Sequence, residues 1–212
     1  MRKLLVALAV LLVVYVAADI GTRFWAQSWV GGQLQRSIHL SKRASVSFGG
    51  LLFIPEVVAG HIPSASVHAD EFSSEGVHFE SATLDLHDIR FSASQVFRSK
   101  HTGSIRAARG DGEVSMSGDD LTAALRDRGF GGTVTLADGE VRLSGGGLAG
   151  EVSAQPSIEG RTLVLRASGT NVSLPLPEVV PGLTYRDVRV EGDTGALLFT
   201  VANVEFLVPR GS

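Results

Sequence analysis

The chain has 212 residues, with 19 Lys or Arg against 22 Asp or Glu and no cysteine. That balance argues against nucleic acid as a partner, which needs clustered positive charge, and against docking on an anionic membrane by charge alone. Without cysteine there is no disulfide and no thiol nucleophile, so the fold must stand on its core.

Arg2 and Lys3 precede Leu4–Ala18, fifteen residues without a charge, and Asp19 ends the run. A positive start followed by an apolar stretch of about 7–15 residues is a signal-peptide pattern, whereas a spanning helix needs about 20. Val16 and Ala18 occupy the small-residue positions for cleavage after Ala18. The other reading keeps residues 1–18 as an anchor, with Ile20–Trp29 extending it. Both readings describe an exported protein whose chain from Asp19 onward lies in a periplasm-like space or on the outer face of the cytoplasmic membrane. The lack of cysteine removes a lipid-modified cysteine as a third option. At the other end, residues 207–212 read Leu-Val-Pro-Arg-Gly-Ser, a thrombin recognition string, and are set aside as a tag remnant. The remaining 19–206 suit a single domain. Without Arg2, Lys3 and Arg210 the balance is 16 cations against 22 carboxylates, a net of −6.

Thr22–Leu40 reads as a helix, because Trp25, Trp29, Ala26, Val30, Leu34 and Ile38 recur at helical spacing on one broad stripe. Gly31-Gly32 weakens its middle. Ser45–Phe48 starts a strand that Gly49-Gly50 breaks. Leu51–Ile54 follows without a polar residue, Pro55 ends that run, and Glu56–Ala59 has room for one helical turn. His61–Phe72 is predicted as a strand. Further strands are predicted near Val77–Leu86, Ile89–Phe91, Gly112–Met116, Gly132–Ala137, Glu140–Ser144, Leu148–Ala154, Arg161–Ser168, Tyr185–Glu191 and Ala196–Phe206. Asp138-Gly139 marks a two-residue hairpin turn. A second helix spans Gly118–Arg128, capped by Ser117 or Asp119, with Leu121, Ala124 and Leu125 inward and Gly129 at its end. Pro175, Pro177 and Pro181 mark a loop. Pairs such as Val134/Leu136, Val141/Leu143 and Leu163/Leu165 alternate as antiparallel strands with one buried face do. The fold class is therefore α+β, a strongly curved antiparallel sheet with two helices against it.

No constellation points to catalysis. Gly-x-Ser-x-Gly is absent, and Gly145-Gly146-Gly147 is followed by a strand where a phosphate loop needs a helix. His61, His68, His78 and His87 lie in or beside strands, near Asp70, Glu71, Asp85 and Asp88, but without the spacing of a metal site. No catalytic residue, metal ligand or cofactor is expected from these patterns.

The informative stretch is Phe48–Val58. Phe48, Leu51, Leu52, Phe53, Ile54, Val57 and Val58 crowd into it with Glu56 as the lone charge, and neither period two nor 3.6 fits. It reads equally as a core-crossing loop or as the lip of an apolar cavity that touches a bilayer. Trp25 and Trp29 carry the same ambiguity between core and interface. These nine residues are the candidate lipid contacts.

Three segments carry a resemblance to a family: Met1-Arg2-Lys3-Leu4-Leu5 running into Ala17-Ala18-Asp19; Ala44-Ser45-Val46-Ser47-Phe48-Gly49-Gly50 with its apolar sequel and Gly60; and Leu174-Pro175-Leu176-Pro177 through Pro181-Gly182-Leu183 to Val188-Arg189-Val190. Together they resemble the LmeA-like phospholipid-binding proteins of actinobacterial cell envelopes. Where that family often has Gly-Phe-Pro-Phe-Leu, this chain has Gly-Gly-Leu-Leu-Phe-Ile-Pro, so the proline is displaced. The resemblance implies a fold similar to the tubular lipid-binding proteins, in which a curved antiparallel sheet wraps around a long N-terminal helix. It implies a membrane-associated binder of phospholipid or a related lipid, held in an apolar cavity and carried or presented for envelope glycolipid assembly, with no catalytic residues. Two other readings stand beside it: a scaffold recruiting an envelope protein through an exposed apolar patch, and an enzyme using His68, Asp70 or Glu71.

Overall fold

The computed structural model describes residues 19, 21–23, 27, 44–50, 53–92, 103–137 and 139–208. Asp19, residues 21–23 and Gln27 are helical. The rest of the helix expected over Thr22–Leu40, including Trp25 and Trp29, lies outside the described residues, as do Leu51, Leu52 and the apolar run 4–18.

Antiparallel strands dominate. β1 (Ser45–Phe48), β2 (His61–Ser74), β3 (Val77–Phe91), β4 (Gly103–Ser117), β10 (Leu183–Glu191) and β11 (Thr194–Val208) form one sheet in the order β1-β2-β3-β4-β11-β10, curled into a half-barrel. β5 (Gly132–Ala137), β6 (Glu140–Gly145), β7 (Val152–Glu159), β8 (Thr162–Ala167) and β9 (Thr170–Pro175) form a second sheet as a meander. Two helices are described in full, α1 (Phe53–Ala59) and α2 (Gly118–Arg126).

α2 forms where its sequence signals place it. Ser117 caps it, accepting from Asp120 N–H at 3.1 Å, while the Asp120 carboxylate accepts from Ser117 N–H at 3.2 Å. Leu121, Ala124 and Leu125 are buried, and Gly129 takes a φ of 93° just beyond the end. The helix stops at Arg126 rather than Arg128. Thr122 is also buried. Its hydroxyl donates to Val134 O at 3.2 Å and accepts from Val134 N–H at 2.8 Å, which ties α2 to β5.

The two sheets and α2 share one core that includes Phe79, Met116, Leu125, Leu143, Leu163, Leu165 and Leu197. The void left between the sheets, bordered by Met116, Leu136, Leu163 and Leu197, measures only ≈ 10 Å³. That is about the space of one water molecule, so no acyl chain fits there.

The curled sheet contains a break that pattern reading split into separate strands. β3 runs unbroken through the expected gap between Leu86 and Ile89. Inward side chains change phase there. Ala65, Leu86, Gly110 and Val201 are buried on one side, and Ile62, Ile89, Ala107 and Val204 on the other, an odd number of residues apart in every strand. Strict alternation cannot do this. Each strand takes an extra residue at the level of Pro63, Asp88, Ala108 and Asn203, and pairing resumes in unchanged register beyond it. Asp88 and Asn203 have φ of 53° and 51°, in the left-handed region that Asp and Asn tolerate best among residues other than glycine. Pro63, opposite Asp88, has no N–H to leave unpaired.

Other boundaries also moved. β4 begins at Gly103 rather than Gly112, β7 starts at Val152 rather than Leu148, and β9 was not foreseen. β11 continues through Leu207 and Val208, which pair with Ser104 and Gly103, so the strand enters the hexapeptide set aside above. Tyr185 is buried against Phe199, their ring centroids 6.1 Å apart, and its hydroxyl donates to Pro177 O at 2.9 Å. Burial pushes that hydroxyl well above its ordinary ionisation range. Gly112 lies under the Phe199 ring, and a Cβ there would collide with it.

Gly112→Val should therefore destabilise the fold by about 1–3 kcal/mol through overpacking, read as a lower urea midpoint. Asp88 gives a pH signature. Donation from Arg90 Nε and Nη2, both at 3.1 Å, aided by His61, holds its carboxyl below the ordinary 3.8 against a smaller opposing effect of burial. A depressed carboxyl contributes stability at neutral pH and loses it as the pH falls through its folded value. Asp88→Asn keeps a side chain suited to φ > 0. It should melt lower than the parent at pH 7, and the difference should vanish in acid once Asp88 is protonated.

Candidate functional site

The described part of Phe48–Val58 is a strand end, two glycines and a helix. Phe48 closes β1, where Gly49 N–H donates to Ser64 O at 2.8 Å. Gly50 then takes a φ of 121°, a conformation that favours glycine, with the Glu56 carboxylate occupying the space a side chain would need. α1 starts at Phe53, ahead of the proline expected to end the apolar run. Pro55 sits in the first turn, where a helix has no use for its missing N–H.

A helix of seven residues cannot hold itself together in water, and its first N–H groups have no partners within it. Asp19 supplies them. Its Oδ2 accepts from Phe53 N–H at 2.9 Å and its Oδ1 from Ile54 N–H at 2.6 Å, with only 4% of the residue exposed. The carboxylate also lies at the positive end of the helix dipole. Arg23 Nη1 donates to Gly50 O at 3.5 Å, so two residues of the N-terminal segment bond to the lip. At the other end Gly60 N–H donates to Val57 O at 3.1 Å and Phe91 N–H to Gly60 O at 2.9 Å, joining α1 to the end of β3. Glu56 Oε2 is buried without a hydrogen-bond partner.

Of the nine candidate contacts, the structure brings Phe48 and Phe53 together as stacked rings with centroids 5.3 Å apart. Phe53 belongs to the core, and Phe48 and Val57 pack on that core while partly exposed. Ile54 is half-buried, and Val58 points to solvent at 74% exposure. α1 is thus a short amphipathic helix with one aromatic plug inward and aliphatic residues outward. Beside it, the inner face of the curled sheet continues through Ala82, Leu84, Phe91 and Ile105, apolar side chains that are only partly buried. Here, unlike between the sheets, apolar surface is left incompletely covered.

Sequence reasoning missed Asp19 and Arg23 as parts of this site. Asp19 was visible only as the residue that ends an apolar run; nothing in its spacing tells that its acceptors serve a helix beginning at Phe53. The histidines lie along the β2–β3 hairpin: His61 Nε2 is 3.0 Å from Asp88 Oδ1, His68 contacts Thr83 and Asp70 at 3.0 and 3.1 Å, and His78 Nδ1 is 3.1 Å from Ser73 Oγ. Among the described residues no three side chains are grouped as a metal site would need, and no helix is long and apolar enough to cross a membrane.

Residues 17–209 match the family described as LmeA-like phospholipid-binding. The match opens just before Asp19 and closes just past β11, so it takes in the clamp, the lip and both sheets. No curated protein and no solved structure matches the chain.

Asp19→Ala should remove the cap of α1 and destabilise the protein by about 1–2 kcal/mol. Hydrogen exchange should report faster amides at Phe53 and Ile54, while those of α2, capped by its own Ser117, keep their rates.

Proposed function

Because the chain belongs to the LmeA-like phospholipid-binding family, we propose that it holds a phospholipid with its acyl chains against the incompletely covered inner face beside the lip. Membership of that family is the observation that carries the reading. The chemistry supports it: Phe48, Val57, Ala82, Leu84, Phe91 and Ile105 offer aliphatic and aromatic surface with few polar atoms, and each methylene moved there from water gains about 0.8 kcal/mol.

The protein is proposed to act outside the cytoplasm as a binder rather than a catalyst, carrying or presenting its lipid for envelope glycolipid assembly. Export is supported by the Arg2-Lys3 start and the apolar run to Ala18. A second reading, a scaffold that recruits an envelope protein, draws on the solvent-facing Val58 and on the filled space between the sheets.

Native mass spectrometry of the protein purified from cells tests the choice. Phospholipid should leave with the protein and rebind after delipidation. Leu84→Trp, which takes the space of about two methylenes, should lower that affinity roughly tenfold at about 0.8 kcal/mol per methylene. A protein that carries no lipid and takes up none when offered phosphatidylinositol or phosphatidylglycerol would sink the lipid reading in favour of the scaffold.

A further inference from the structure

The charge of this chain is not spread evenly. From Ile89 to Gly110 it carries Arg90, Arg98, Lys100, Arg106 and Arg109 and not one carboxylate, although carboxylates outnumber cations overall. Arg90 stands at the end of β3, and Arg106 and Arg109 stand near the start of β4. The register sets Arg90 directly opposite Arg106 and His87 directly opposite Arg109. Like charges facing each other across a ladder are destabilising. Arg90 is relieved by Asp88 and Arg106 by Glu205, at 3.1 and 3.3 Å, yet both guanidinium side chains remain about 70% open, at 72% and 71%. Arg109 has no carboxylate partner among the described residues. An open groove of ≈ 450 Å³ lies between these rows, lined by His61, Pro63, His87, Asp88, Ala108 and Arg109, on the outer side of the break in the sheet.

The same end carries the apolar lip. α1 leads directly into His61, which pairs with Arg90, and its last turn is bonded to Phe91 through Gly60. Val58 on α1 is the exposed large hydrophobic side chain among the described residues. We propose that this end of the half-barrel is a docking surface for an anionic lipid bilayer. α1 enters the head-group layer through Val58, and Arg90, Arg106 and Arg109 hold lipid phosphates around it. Neither contact suffices alone, since one short helix buries little apolar area and the chain as a whole is acidic. The carboxylates near these arginines are Asp88 and Glu205, which pair with Arg90 and Arg106, and Asp85 and Asp111, opposite each other a few residues further along β3 and β4. The cationic contacts at this end are therefore Arg109 and the open faces of Arg90 and Arg106. The inference rests on the lipid-holding reading for its purpose, since it names the membrane-facing end of the same site, but its geometry is independent of that reading.

The full chain lacks cysteine, so Val58→Cys places a single environment-sensitive fluorophore on the lip. Ser168→Cys, exposed in the turn after β8, places the same probe on the second sheet. With vesicles of phosphatidylcholine and phosphatidylglycerol, the Val58→Cys probe should brighten and be quenched by a lipid-borne quencher, while the Ser168→Cys probe stays dark. Pure phosphatidylcholine should give a much weaker response at Val58. The triple change Arg90→Gln, Arg106→Gln, Arg109→Gln should raise the vesicle concentration needed by at least about tenfold, given the attraction each cation near an anionic surface supplies. High salt on the unsubstituted arginines should do the same, which keeps the test sound if the triple variant folds poorly. Equal brightening at both cysteines, equal response to neutral vesicles, indifference to salt or silence at Val58 would each overturn the proposal. Lipid occupancy by native mass spectrometry separates the two ideas: a lipid-free protein whose Val58→Cys probe still inserts loses the lipid-holding reading and keeps the docking surface.

Discussion

Four adjacent strands change face at one level, and most of what is distinctive about this molecule follows from that constraint. A strand with period two can keep one face inward only while it stays regular. At Pro63, Asp88, Ala108 and Asn203 the curled sheet interrupts the period in concert, so hydrogen bonding survives while the inward set is renewed beyond the break. Ile62, Ile89, Ala107 and Val204 can then bury themselves next to the lip, and the residues displaced outward create the polar groove. Left-handed backbone away from glycine is uncommon, and two such residues in register across a sheet need a framework that over-determines them. Here the framework is the pairing of the strands on either side.

The two halves of the molecule divide the work. Beyond α2, the second sheet packs against the first in one shared apolar core. Near α1, the same curled sheet carries alanine, leucine and phenylalanine that nothing described covers fully. A packed core resists change by a single methylene, so the closed half anchors the strands whose far ends form the lip. A binding surface built on long strands inherits the rigidity of a core some distance away.

Much of the closed half was legible in the residues. The Ser117 cap, the Leu121/Ala124/Leu125 stripe and the alternation of β5, β6 and β8 follow short-range rules that tertiary context had no reason to override. The open half was not. β4 starts with Gly-Ser-Ile-Arg-Ala-Ala-Arg-Gly, whose polar and small residues hide a strand, because at the break two consecutive positions, Ala108 and Arg109, face outward. Pro55 reads as the end of the apolar run from Leu51 to Ile54, yet proline fits the first turn of a helix, and α1 begins two residues before it. The aromatic pair Phe48–Phe53 was anticipated as apolar contact, but its burial depends on a helix whose cap is remote in sequence. Side-chain capping from a distant segment leaves no periodic trace.

That remote cap also gives the N-terminal segment a second office. Closing the loop from Asp19 to Phe53 costs little more than closing one half as long, about 0.6 kcal/mol per doubling. Without it, a helix of seven residues sits on the unfavourable side of nucleation. Asp19 thus couples the order of α1 to the placement of the N-terminal segment, alongside the packing of Phe53 and the bonds through Gly60. An apolar edge tied in this way to a segment remote in sequence answers to whatever moves that segment.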